Sequence, residues 1–154
     1  MRILYYIPSL YSSGGLERII TYKANYLADK FGYDVMVLTS EQQGKSHYYN
    51  LSERVHNVDI DVVFDGDSRK KSKLTRVLEY PFKYRLFKKR FKDVISDFNP
   101  DITISTLRRE LYFITSLRSG GIKIGEFHVT RHSYHGGALR GKGLINNLLK
   151  LLLS

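Results

Sequence analysis

Apolar residues in this chain come in short blocks whose spacing changes several times. Arg2–Ile7 is rich in β-formers and stops at Pro8. A turn-forming stretch follows, Ser9–Gly15. From Leu16 to Phe31 the apolar positions are Leu16, Ile19, Ile20, Ala24, Leu27, Ala28 and Phe31, the spacing of an amphipathic helix, and Gly32 supplies its stop. Asp34–Thr39 is a short apolar run, which reads as a buried strand. Apolar strands on either side of a crossover helix are the signature of a parallel α/β sheet.

The rest of the chain continues this rhythm. Glu41–Val55 has no period and reads as loop, and Val58–Phe64 is expected to form a third strand. Leu74–Phe98 has the pattern of a long amphipathic helix, or of two if Pro81 breaks it, closed by Asn99-Pro100. Asp101–Ser105 predicts a fourth strand, Leu107–Leu117 a short helix stopped by Gly120-Gly121, and Ile122–Val129 a fifth strand. A Gly/His/Arg loop, Thr130–Gly143, precedes a helical stretch, Leu144–Leu153. The expected fold class is therefore α/β, a Rossmann-like parallel sheet sandwiched by helices. The Leu-rich last helix lacks an obvious partner, so residues 1–154 are expected to be one domain of a longer, two-domain protein.

Charge adds one strong feature. Between Arg69 and Lys92 stand eleven basic residues and a single acid, Glu79, a net charge of +10. The other 130 residues hold 14 bases and 14 acids, so the protein is a neutral domain with one cationic segment. With no cysteine, disulfides, thiolate metal sites and a Cys nucleophile are excluded. No apolar run approaches the ~20 residues that span a bilayer.

Three places have candidate chemistry. Gly14 and Gly15, between the first strand and the first helix, fit two readings: a tight turn, or a helix N-terminus open to a phosphate. The dinucleotide pattern G-x-G-x-x-G is missing. Glu126 and His128 lie at the end of the fifth strand, and ligands of open parallel sheets bind at that edge. His128, His132 and His135 fall in a loop without interleaved carboxylates, which argues against a metal. Gly136–Gly143 is a near-miss of a P-loop, with glycine where the Mg²⁺-binding hydroxyl belongs. In the cationic helix, Tyr84, Phe87, Phe91, Val94 and Ile95 share one face. Lys83, Arg85, Lys88, Lys89, Arg90 and Lys92 lie largely off it, with Phe82 and Leu86. Such a face suits an anionic membrane, a solvated surface, or nucleic-acid phosphates.

The segments MRILYYIP and SSGGLERIITYKANYLADKFGYDVMVLTS, with Asn99-Pro100-Asp101 before the fourth strand, resemble the N-terminal domain of glycosyltransferase family 4, retaining enzymes of the GT-B fold. The resemblance is carried mainly by the first 40 residues. It implies transfer of a sugar from a nucleotide-diphosphate sugar to a saccharide or lipid-linked acceptor, as in polysaccharide biosynthesis. It also implies no metal or other cofactor and His128 at the sugar or reacting centre; without a metal, backbone N–H groups such as those at Gly14-Gly15 are expected to supply part of the stabilisation of the donor diphosphate. The family's second, donor-binding domain carries two glutamates eight positions apart. None of Glu17, Glu41, Glu53, Glu79, Glu110 and Glu126 has a glutamate eight residues on. The donor half is therefore expected to be missing here and the chain alone inactive. The expected location is cytoplasmic, at the inner face of the plasma membrane. The competing expectation is a Rossmann-like module that binds nucleic acid through its cationic helix.

Overall fold

The structure is a computed structural model that describes residues 1–64 and 73–126. Its elements are β1 (Arg2–Tyr6), α1 (Gly15–Phe31), β2 (Asp34–Thr39), β3 (Val55–Asp59), α2 (Lys73–Phe98), β4 (Ile102–Ser105), two 3₁₀ turns (Arg109–Tyr112 and Ile114–Ser116) and β5 (Ile122–Gly125). All strand pairs are parallel, in the order β3-β2-β1-β4-β5. This is the Rossmann-like α/β arrangement that the pattern predicts.

β1 is central and covered on both faces, which explains its unbroken apolar run. Its side chains alternate. Ile3 and Tyr5 join Ile20, Ala24, Ala28, Val35 and Val37 in a core layer under α1. Leu4 and Tyr6 join Phe87, Phe91, Ile95 and Phe113 in a second layer under α2. The second layer is aromatic, with ring centroids 5.1 Å apart for Tyr6–Phe91 and 5.4 Å for Phe91–Phe113. Gly32 closes α1 in the left-handed region, its N–H donating to the Ala28 carbonyl while Tyr33 N–H donates to Leu27.

Four expectations are corrected. The third strand is β3, Val55–Asp59, three residues earlier than predicted. The alternation in Val58–Phe64 is real, since Ile60, Val62 and Phe64 are buried, but beyond Asp59 they belong to an irregular segment that follows the strand, with Asp61 at positive φ. Ile60 and Val62 N–H donate there to the Thr39 and Ser40 carbonyls.

Pro81 does not break α2, which runs unbroken from Lys73 to Phe98. A proline removes one i→i−4 bond, and packing continues past it: Tyr80 and Tyr84 stack with centroids 6.1 Å apart. Leu107–Leu117 forms the two 3₁₀ turns instead of an α-helix. The Glu110 side chain ties the start of that segment by accepting from Ser105 Oγ and Arg108 N–H. β5 ends at Gly125, four residues before the predicted end. Glu126 follows outside the strand, and residues 127–129 of that predicted strand, the 130–143 loop and the predicted last helix lie outside the described residues.

Candidate functional site

Parallel strands bring all their carboxyl ends to one edge, and a ligand binds where the strand order reverses. Here that point lies between β1 and β4. The loop from Ile7 to Gly14 leaves one side of it, and Thr106–Arg108 leaves the other.

On the α1 side, Gly14 is the N-cap of α1 and begins its hydrogen bonding, with Arg18 N–H donating to the Gly14 carbonyl at 3.1 Å. A Cβ at Gly14 would lie 2.1 Å from Glu17 Oε2, whereas one at Gly15 would meet nothing. Glu17 folds back over Gly14 and accepts a hydrogen bond from Ser12 Oγ. A side chain at Gly14 would displace this carboxylate, which complements the positive end of α1. A phosphate approaching this helix end meets Glu17 first.

Glu126 follows β5 directly, its N–H donating to the Ser105 carbonyl at 2.8 Å. Its carboxylate oxygens accept from Lys23 Nζ of α1 at 2.8 and 2.9 Å. Burial, with the Glu126 charge added to it, holds the Tyr5 hydroxyl up at about 12, so Tyr5 stays neutral. Thr106 lies beside Glu126: the register pairs Ser105 with Gly125 on one side and with Tyr6 on the other. Ile104 packs in the α1 layer, and Thr106, two residues on, continues that side. Thr106 Oγ1 and Thr21 Oγ1 are buried, and neither has a hydrogen-bond partner. Such orphaned hydroxyls are uncommon in folded proteins. His128, His132 and His135 lie outside the described residues. Among the described residues no group of three His, Asp or Glu could hold a metal ion.

On the α2 side, the same edge holds a buried polar cluster without a clear signal in the sequence. Tyr6 Oη and Ser40 Oγ are 3.0 Å apart. Arg109 Nη1 lies 3.3 Å from Glu41 Oε1, its guanidinium 4.3 Å from the Phe64 ring centroid. Glu110 is fully buried, and its Oε2 has no hydrogen-bond partner. Burial is the main cause that pushes its carboxyl above the usual range, against the hydrogen bonds from Ser105 and Arg108. Burial, with Glu110 nearby, likewise drives the Tyr6 hydroxyl well above its usual range.

The six cations singled out on α2 divide into two groups. Arg90 Nη1 donates to the carbonyls of Ile60 and Asp61, and Lys83 Nζ donates to the Val63 carbonyl at 3.0 Å. These two fasten the segment 60–63 to the helix. Arg85, Lys88, Lys89 and Lys92 are exposed, Lys88 Nζ lying 5.8 Å from the Phe113 ring centroid. Opposite the aromatic core stripe, Leu78, Phe82 and Leu86 repeat at i, i+4, i+8 and are 64%, 72% and 41% exposed. Leu78 is a member of this ridge that the charge pattern did not single out. Among the described residues no helix is long and apolar enough to cross a membrane.

The fold and this edge define an α/β domain with a Rossmann-like parallel sheet and helices on both faces. The chain matches no family model and no curated protein.

Proposed function

We propose that this chain is the acceptor-side half of a two-domain glycosyltransferase acting at an anionic membrane. The observation that carries the reading is the α1 side of the carboxyl edge. The loop that resembles family 4 (Gly14, Gly15, Glu17), the orphaned Thr106 hydroxyl and the Lys23–Glu126 pair all belong to that side. The group types suit a saccharide. Glu17 and Glu126 are acceptors for sugar hydroxyls, and Thr106 is both donor and acceptor. Donor phosphates would lie across the cleft, near the glycines but outside the Glu17 carboxylate, with the second domain supplying most of their contacts. His128 is assigned to the reacting sugar on the resemblance alone. Glu126, paired with Lys23, is a carboxylate that positions substrate and not a proton donor.

The exposed cations of α2 hold the domain at the membrane. Each Lys or Arg near an anionic leaflet contributes ~1 kcal/mol, so Arg85, Lys88, Lys89 and Lys92 suffice for reversible attachment. Phe82 and its neighbours at the centre of that face favour a bilayer over a nucleic-acid backbone, which gives such groups nothing apolar to enter.

Amide NMR of the full chain tests the site. Titration with a mixture of free hexoses and with nucleotide-diphosphate sugars should shift Gly15, Thr106 and Glu126 without steady-state transfer. Unmoved edge amides, or measurable turnover by these 154 residues, would overturn the reading. Flotation with anionic vesicles at low salt tests the membrane. Retention by DNA and not by vesicles would replace it with the nucleic-acid alternative.

A further inference from the structure

The turn that follows β4 is held in a conformation that its sequence disfavours. Leu107 stands at φ 56°, in the left-handed region. A bulky residue there is an outlier, and such a conformation persists only where the surroundings over-determine it. Hydrogen bonds from both ends of the turn do so. Leu107 N–H donates to Ser105 Oγ at 3.0 Å, Ser105 Oγ donates to Glu110 Oε1, and Arg108 N–H donates to the same Oε1 at 3.0 Å. The Leu107 side chain also lies against Gly125 of β5, where a Cβ would come within 2.7 Å of Leu107 Cδ2. Glu110, on which the last two bonds converge, is fully buried and belongs to the 3₁₀ turn Arg109–Tyr112.

Thr106 sits between two tied residues, yet its own hydroxyl is tied to nothing. The residue is 8% exposed, and its Oγ1 is buried without a hydrogen-bond partner. A buried threonine hydroxyl ordinarily finds a partner, often a nearby backbone group. Threonine is stiff at χ1, so a fixed backbone fixes the direction of the hydroxyl. That direction is the α1 side of the carboxyl edge. Glu126 N–H donates to the Ser105 carbonyl, which continues the β4–β5 register and sets Thr106 beside Glu126 and its partner Lys23. Glu110 lies on the other side of the sheet end, close enough to Tyr6 to add to the effect of burial on its hydroxyl. It reaches the α1 side only through the turn.

We infer that Glu110 is a positioning residue: it ties the turn so that the Thr106 hydroxyl is presented, unsatisfied, to a neutral hydroxyl-bearing ligand on the α1 side of the edge. A ligand hydroxyl can supply either the donor or the acceptor that Thr106 lacks. A phosphate dianion supplies acceptors only, and it faces the carboxylates of Glu17 and Glu126 on the same side. The inference rests on the saccharide reading of that side and adds the residue that shapes it.

NMR of the full chain, labelled on threonine, tests it with glucose as the probe. Thr106 should hold one χ1 rotamer in its three-bond couplings, and its methyl should move saturably with glucose and not with inorganic phosphate. Glu110→Gln keeps an acceptor for Ser105 Oγ and Arg108 N–H and should preserve both readings. Glu110→Leu removes that acceptor. Thr106 should then average over rotamers, and its affinity for glucose should fall about tenfold, the worth of one hydrogen bond. The methyls of Thr21 and Thr39, in α1 and β2, should stay in place, which a general loosening of the fold would not allow. A Glu110→Leu chain that folds and keeps the wild-type rotamer and response overturns the inference and leaves the site standing. If Glu110→Leu does not fold, Ser105→Ala cuts the same tie from the strand and is read in its place, with the same expected loss and the same overturning result. Movement with phosphate instead of glucose overturns the ligand class. Glucose that moves no edge resonance of the unmodified chain overturns the saccharide reading and the ligand named here, while the χ1 couplings still decide whether Glu110 sets Thr106.

Discussion

Replacing Glu110 by glutamine should stabilise the protein at neutral pH, although glutamate makes two hydrogen bonds there. The side chain is fully buried, and burial holds its carboxyl above the usual range. In the unfolded chain the same group ionises near 4.3. Between that value and the native one, folding requires the group to take up a proton that the unfolded chain has lost. Its contribution is therefore complete at acid pH and falls as pH rises through this window, by about 1.4 kcal/mol per pH unit relative to a neutral side chain. Glutamine keeps an acceptor for Ser105 Oγ and Arg108 N–H, and its amide takes the place of Oε2, which already has no partner. The other titratable groups around this cluster do not cancel the effect: Tyr6 stays neutral, while Glu41 and Arg109 form a pair of opposite charge. Urea unfolding between pH 4 and 8 reads it. With a slope of about 2 kcal/mol per molar, the Glu110→Gln midpoint should pull ahead of wild type by roughly 0.7 M for each pH unit in the window. Curves that stay parallel across this range would show that Glu110 is ionised in the native state and that its burial is compensated by charge.

Further outcomes follow from the packing. Phe87→Ala, which empties a fully buried site among Tyr6, Phe64, Phe91 and Phe113, should cost ~3–5 kcal/mol in denaturant unfolding. Gly14→Ala drives a methyl into the Glu17 carboxylate and should lower the melting temperature by an amount equivalent to ~1 kcal/mol, whereas Gly15→Ala, in open space at the first turn of α1, should be neutral or slightly stabilising. Gly121→Ala places its Cβ 1.9 Å from the Asp101 carbonyl oxygen at positive φ, and should cost ~2 kcal/mol or more, read by chemical denaturation. Changing Lys88, Lys89 and Lys92 together to Glu should weaken anionic-vesicle binding by about two orders of magnitude in sedimentation while the circular dichroism spectrum is unchanged. Arg90 is left in place because it holds Ile60 and Asp61.

Periodicity located the elements whose burial is one-sided or complete. The buried face of α1, the apolar run of β2 and the aromatic face of α2 are visible in spacing because each is dictated by burial alone. The spacing sets the third strand three residues too late for the same reason. Ile60, Val62 and Phe64 alternate because alternate residues are buried, and burial of alternate residues does not require a ladder of hydrogen bonds. Pro81 leaves spacing alone unable to choose between one helix and two, because a proline removes one hydrogen bond while a contact across it, Tyr80–Tyr84, persists. The polar half of the site was less legible. Lys23 and Glu126 are 103 positions apart, and Arg109 and Glu41 are 68 apart. Only the fold joins such pairs. Glu110 lies in an Arg-Arg-Glu stretch that reads as surface, and its burial depends on Ser105 and on the 3₁₀ turn that it helps to build.

The two faces of the sheet keep the α1 side of its carboxyl edge apart from the outer face of α2. Tyr5 and Tyr6 are neighbours on β1 and share a fully covered strand, yet they belong to different layers. Tyr5 stands beneath Glu126 on the side where Lys23, Thr106 and the Gly14 loop gather. Tyr6 joins the aromatic layer that fixes α2. Charge changes on the outer face of α2 are separated from the α1 side by that aromatic layer and the sheet itself, and exposed charges are screened within about a Debye length of ~10 Å. Substitutions of Lys88, Lys89 and Lys92 should therefore change membrane occupancy without shifting the amides of Gly15, Thr106 or Glu126. Substitution of Glu126 should do the reverse.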